Sequence, residues 1–156
     1  RTSFLRNTLV LIAPQDSKTM LAVRPDMPLA ETLGSGRLAI ADPGGVPAGI
    51  YARQSLTRLG LWDSVKDKLA PAENVRAALA LVSRGAAPLG VVYGTDAQAD
   101  RAVKVVGIFP QTSHEPISYP VALLASSNND EGERFRQFLI SSEGKAIFRR
   151  FGFGTQ

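Results

Sequence analysis

The stretch Ala41-Asp42-Pro43-Gly44-Gly45-Val46-Pro47-Ala48-Gly49-Ile50-Tyr51 constrains the fold more than any other part of the chain. The apolar run Leu38-Ala39-Ile40-Ala41 reads as a buried strand and is followed by a turn rich in glycine and proline. Pro47-Ala48-Gly49 then opens an amphipathic helix expected to run to about Leu59, with Ile50, Leu56 and Leu59 near its apolar face and Arg53 and Arg58 solvated. Proline suits a helix's first turn, where its missing N–H would lack an intrahelical partner anyway. The other N–H groups of that turn point out of the helix end and, with the helix dipole, form a ready anion site. Two other readings fit the same residues. One is an ordinary tight strand-to-helix connection. The other is a nucleotide loop, but the Lys-Ser/Thr ending of a P-loop is absent and Gly44-Gly45 lacks the dinucleotide spacing.

The pattern recurs along the chain. Leu9 to Ala13 reads as a strand stopped by Pro14, Met20 to Val23 as a short extended piece, and Pro28 to Leu33 as one or two helical turns. Lys68-Leu69-Ala70 is extended before Pro71, and Asn74 caps a helix from Val75 to about Ser83 that Gly85 stops. Leu89 to Tyr93 is a buried strand ending in a tyrosine, and Val103 to Phe109 is another. His114 lies in a polar loop, and Ile117 to Ala125 is extended. Two helices close the chain, with Phe135, Phe138 and Leu139 on the core face of the first and Ala146, Ile147 and Phe148 inward on the second. Arg1 to Arg6 carries no element signal, and Phe151-Gly152-Phe153 ends the pattern. Alternating strands and helices give an α/β class with a mainly parallel sheet. Ligands of such sheets bind beyond the carboxyl ends of the strands, where Ala48, Val75 and Tyr93 all fall.

Composition removes several chemistries. The 156 residues, 44% of them hydrophobic, suffice for an ordinary domain core. Without cysteine and with one histidine, disulfides, thiolate sites and histidine-rich metal sites are excluded, and no cofactor is expected. The charge of +4 is scattered, with Arg149-Arg150 the only adjacent basic pair, so no nucleic-acid partner is expected. No run is long and apolar enough to span a bilayer. A Ser-His-Asp enzyme built on His114 and Asp96 lacks a Gly-x-Ser-x-Gly elbow, and no carboxylate pair suggests acid–base work.

What remains is a set of neutral donors: N–H groups at Ala48 and Val75 and the Tyr93 hydroxyl. Such a site suits a fully deprotonated dianion and rejects an anion that keeps a proton, which would need an acceptor. Asp42 is expected to accept N–H bonds from its own loop and Glu73 to lie along its helix end. A carboxylate facing the anion would count against the reading.

Three stretches resemble the periplasmic molybdate-binding proteins of ABC transporters. These are Asp42-Pro43 with Val46 to Ala52, then Lys68 to Arg76, then Pro88 to Asp96; the ending Ile147 to Phe153 is similar too. The resemblance implies a type II periplasmic-binding-protein fold, α/β with flanking helices, and an oxyanion held in an interlobe cleft. It implies that groups matching the Ala48 and Val75 amides and the Tyr93 hydroxyl bind molybdate or tungstate. A membrane permease is the implied partner and the periplasm the implied location. Residues 1–13 would then be a hinge strand and first-lobe remnant, 14–118 a nearly complete second lobe, and 119–156 the hinge return and C-terminal helices of an incomplete first lobe. Family members begin with a longer segment whose serine-containing turns also donate to the oxyanion, and no residue here is assigned to them. The chain is therefore expected to bind weakly alone and to expose apolar first-lobe surface, which favours a domain-swapped or associated homo-oligomer. A sulfate or thiosulfate binder and the effector-sensing domain of a transcription regulator are the alternatives.

Overall fold

A computed structural model describes residues 1–156. The chain divides into two compact units, Arg1–Asn7 with Pro116–Gln156, and Thr8–Glu115.

The larger unit is built on a five-stranded sheet. Its strands are β2 (Leu9–Pro14), β3 (Leu38–Ala41), β4 (Leu69–Ala72), β5 (Leu89–Tyr93) and β6 (Val103–Ile108), in the order β4-β3-β5-β2-β6. β3 pairs in parallel with both β4 and β5, whereas β2 pairs antiparallel with β5 and β6. The sheet is therefore mixed, because β2 runs against its four companions. Five helices accompany the sheet before its last strand, the first four being α1 (Leu29–Leu33), α2 (Pro47–Arg58), α3 (Trp62–Val65) and α4 (Val75–Ser83). The short α5 (Gly94–Ala99) follows β5. The central strands are near-continuous apolar runs because both sheet faces are covered there: Leu9 to Ala13 and Leu38 to Ala41 are all buried. Val10, Ile12, Ala39 and Val92 pack with Ala78, Leu79 and Val82 of α4 in one core cluster.

Two glycines set how closely helices approach this sheet. A Cβ on Gly49 would lie 2.1 Å from the Ala41 carbonyl oxygen, so only glycine lets α2 start against the end of β3. A Cβ on Gly90 would meet Val82 of α4 at 2.7 Å.

The smaller unit holds a three-stranded antiparallel sheet, β7-β1-β8, made of β1 (Thr2–Arg6), β7 (Ser118–Val121) and β8 (Gly154–Thr155). Two helices, α6 (Asp130–Ile140) and α7 (Ser142–Arg150), complete it. An edge-to-face aromatic chain runs Phe4–Phe148–Phe153–Tyr119, with centroid separations of 5.4, 5.9 and 5.4 Å. Asn7 Nδ2 donates to the Tyr119 hydroxyl at 3.0 Å.

Several sequence expectations need correction. Arg1 to Arg6 holds a strand, and the chain's end adds another after Phe153. Both are short and pair with segments far away in the chain, β1 with β7 and β8, so neither carries a local signal. Met20 to Val23 forms no strand; it passes over Gly107 of β6, where a Cβ would meet Val23 Cγ2 at 2.6 Å. The extended segment after Ile117 is regular only over Ser118–Val121. Phe135, Phe138 and Ile147 are exposed at 61, 38 and 38%, so they are not core residues of this chain, and Ile50 of α2 is also exposed. No helix is long and apolar enough to cross a membrane.

Candidate functional site

Three consecutive, parallel strands of the larger unit, β4, β3 and β5, point their carboxyl ends to the same sheet edge. Each is followed there by one expected site residue. Ala48 lies in the first turn of α2 after β3, Val75 opens α4 after β4, and Tyr93 is the last residue of β5. Neighbouring strands lie about 4.8 Å apart, so the three strand ends that lead to these residues span roughly 10 Å across the sheet.

The local chemistry at each position follows from the sequence. Val46 is the extended N-cap of α2 and Pro47 its first residue. The Ile50 N–H returns to the Val46 carbonyl, which leaves the Ala48 N–H without an acceptor in the chain. Ala48 itself is 2% exposed. At α4 the Asn74 side chain accepts the Ala77 N–H at 2.8 Å, and the Ala78 N–H bonds the Asn74 carbonyl. The Val75 N–H is left without an acceptor as well. The Tyr93 ring meets Tyr51 of α2 edge-on at 6.5 Å, and Tyr51 in turn meets His114 at 6.0 Å.

The acidic groups near these donors are accounted for differently. Asp42 Oδ1 accepts the Gly44 N–H of its own loop at 2.8 Å, as expected. Exposed Glu73 lines, with Asp42, Pro71 and Ala72, a cavity of about 360 Å³ at the ends of β3 and β4. Ala48, Val75 and Tyr93 are not among the residues lining that cavity. Both carboxylates are solvated, so water weakens their repulsion of an anion and salt screens it beyond about 8–10 Å.

Asp96 is buried, and both its oxygens are used. Oδ1 accepts from Arg76 Nε at 2.7 Å and Oδ2 from the Tyr93 N–H at 3.1 Å. Burial pushes its carboxyl above the ordinary value, while the Tyr93 N–H and the Arg76 guanidinium pull it back. Sequence reasoning weighed Asp96 as the acid of a Ser-His-Asp set and did not link it to Arg76. Its place three residues after a strand's end was a legible capping signal, whereas its partnership with Arg76, twenty residues away, was not.

His114, within its polar loop, is buried, because a 3₁₀ turn over Gln111–Ser113 folds it inward. Its Nδ1 is 2.8 Å from the Glu115 carbonyl oxygen, its Nε2 has no partner, and neither Asp96 nor any serine is bonded to it. Ser113 and Ser55 share a buried hydroxyl pair at 2.9 Å. No nucleophile–base arrangement is therefore formed around His114.

Residues 1–154 match the family described as bacterial extracellular solute-binding protein. The chain is 47% identical over 154 residues to the molybdate-binding protein ModA of Escherichia coli (strain K12), covering 98% of this chain and 60% of that protein. It is 42% identical over 150 residues to the ModA of Haemophilus influenzae, covering 96% and 59%. Among solved structures it is similar to a substrate-binding domain described as part of a molybdenum ABC transporter from Clostridium difficile. That likeness has a TM-score of 0.80 at 35% identity, covering 97% of this chain and 65% of the other. The chain thus spans about 60% of the length of the curated relatives it matches. Its architecture is that of a type II periplasmic binding protein, represented in part. A family match across nearly every residue, together with this fold, places the chain among the bacterial extracellular solute-binding proteins.

Proposed function

We propose that the chain belongs to the substrate-binding component of an ABC importer and takes molybdate or tungstate through neutral hydrogen-bond donors. The observation that carries this reading is the convergence of two unpaired helix-start N–H groups, at Ala48 and Val75, with Tyr93 at one edge of three parallel strands. The relatives named for molybdate binding support the choice of oxyanion. The amides of α2 and α4 and the Tyr93 hydroxyl donate, and the charge is balanced by oriented dipoles instead of a salt bridge. Donors alone favour a dianion that carries no proton. Discrimination against sulfate, also a dianion, falls to the size of the space left between the donors.

A periplasmic location and delivery to a membrane permease belong to the same proposal. So do lobe boundaries at 13/14 and 118/119, with Leu9 to Ala13 and Tyr119 to Ala122 as hinge crossings. Hydrogen bonds to a charged group contribute about 1.5–3 kcal/mol each. If two further donors are needed from elsewhere, residues 1–156 alone bind weaker by about 10²–10⁴-fold than a complete site. The exposed apolar faces of α6 and α7 favour association of two copies.

Calorimetric titration of the chain with molybdate, sulfate and phosphate tests the reading. The expected result is weak molybdate binding, lost in Tyr93→Phe, with sulfate and phosphate silent. Heat from phosphate equal to that from molybdate would overturn the donor-only site, and silence toward all three would overturn binding by this chain. Sedimentation of wild type and Phe135→Asp tests association, with a monomer expected only for the variant.

A further inference from the structure

Arg76 and Asp96 are not among the expected oxyanion contacts, yet they join two of them. Asp96 is 3% exposed and spends one carboxylate oxygen on Arg76, the residue after Val75, and the other on the N–H of Tyr93. Sheet pairing does not make this connection. β3 lies between β4 and β5, and the pairing of β3 with β5 covers only Leu38 with Leu89 and Ala39 with Gly90. The last three residues of β5, Tyr93 included, are thus laddered only to β2 on the far side. Apolar packing of Ala78, Leu79 and Val82 seats α4 on the sheet, and a polar connection joins its first turn to the end of β5. The Arg76–Asp96–Tyr93 link makes that connection with two hydrogen bonds to one buried carboxylate.

We propose that this link is a positioning element of the oxyanion site, in which Asp96 holds the Tyr93 backbone and, through Arg76, the α4 turn that carries the Val75 N–H. The proposal rests on the oxyanion reading above. Electrostatics alone gives Asp96 the opposite role. A carboxylate beside an anion site repels the anion, and burying it costs solvation that pairing must repay. Its presence is explained if the gain is geometric: donors held at fixed separation cost no reorganisation when the ligand arrives. Arg76 suits this task because its Nε takes the carboxylate while the side chain remains 65% exposed. Lysine, a single point of charge, would not fix the turn in the same way.

The sign of one substitution separates the two roles. Asp96→Asn removes a negative charge and so raises oxyanion affinity if Asp96 merely repels. If Asp96 positions the donors, the variant loses about tenfold or more in molybdate affinity, the scale of one charge-assisted hydrogen bond. Unchanged or tighter binding overturns the proposal. Amide spectra of the unliganded chain, followed downward through the carboxylate range, test the link without ligand. The Tyr93, Val75 and Arg76 amides are expected to move with one midpoint. Asp96→Asn abolishes the common response, and Arg76→Ala, which leaves the buried carboxylate in place, moves the Tyr93 midpoint upward and silences Val75. A Tyr93 response without a Val75 response overturns the link. If all three amides titrate together but the wild-type chain does not bind molybdate, the oxyanion reading has failed, and with it the positioning role, while the structural pair stands.

Discussion

The two units use similar sequence patterns to different ends. In the larger unit the central strands β2 and β3 are apolar on both faces and buried on both, and α4 places Ala78, Leu79 and Val82 against Val10, Ile12 and Val92. In the smaller unit α6 has an equally clear apolar stripe, yet no residue of it is buried. Phe135, Phe151, Phe138 and Ile147 all remain open to solvent. What is packed there is the aromatic chain from Phe4 to Tyr119, which rests on a sheet of only three strands. Periodicity reports that a helix has an apolar face. It does not report whether the same chain covers that face.

Truncating matched apolar residues should show the contrast most strongly. Leu11→Ala, in the middle of β2 and fully buried, is expected to cost about 2–5 kcal/mol in urea unfolding. Phe138→Ala removes a larger side chain but is expected to change stability by no more than about 1 kcal/mol, since its ring is already 38% exposed. Equal losses would mean that the α6 face is covered in solution.

Backbone approach offers a second comparison. A Cβ on Gly49 would lie 2.1 Å from the Ala41 carbonyl oxygen, and one on Gly144 would lie 2.2 Å from that of Phe138. The clashes are alike, but their surroundings differ. α2 is held along its length: Ser55 bonds Ser113, Gln54 accepts the Glu115 N–H, and Arg58 reaches the Thr112 carbonyl and Glu115. It cannot retreat from β3 without breaking these. Gly49→Ala is therefore expected to cost about 3 kcal/mol, at the upper end of overpacking effects. Gly144→Ala, at a junction between two half-exposed helices, should cost about 1 kcal/mol, read by the same unfolding measurement. Helix caps give a smaller split. Asn74→Ala, which removes the 2.8 Å bond to the Ala77 N–H, should cost about 1 kcal/mol, and Ser141→Ala, whose bond to the Gly144 N–H is 3.2 Å, about half of that.

The larger unit was the more legible of the two for a physical reason. Its elements announce themselves locally. Pro47 and Asn74 start helices, Gly60 and Gly85 take the left-handed conformation expected just past helix ends, and continuous apolar runs make buried strands. The three proposed donor positions follow parallel strands, so their place at one sheet edge could be read before the fold was known. The direction of β2, the strand pairing at Thr2–Arg6 and the Arg76–Asp96 pair could not, because each depends on residues far apart in the chain meeting in space. The burial of His114 was hidden for the same reason: its neighbours in sequence are polar, but the ring it packs on belongs to Tyr51.

Two carboxylates extend the comparison to pH, with opposite signs and the smallest expected effects. In the smaller unit, hydrogen bonds from Arg136, then Gln137, hold the Glu133 carboxyl down at about 2. A folded value below the unfolded one means that the unfolded chain binds the proton more tightly. Glu133 therefore contributes stability above about 4.5, its ordinary value, and loses it as pH falls toward 2. In the larger unit, burial raises Asp96, so the folded chain binds that proton more tightly. Its contribution is present below the ordinary aspartate value and lost as pH rises through the raised one. Melting temperature against pH for Glu133→Gln should show a shallower acid decline than wild type, by a small margin because the pair is solvent-screened. Asp96→Asn should change the curve in the other sense, flattening the loss seen as pH rises through the carboxylate range. If both variants shift the curve in the same direction, the two carboxylates do not sit in the contrasting environments that distinguish the units: one solvated and ion-paired at a helix surface, the other buried beneath the donor edge of the sheet.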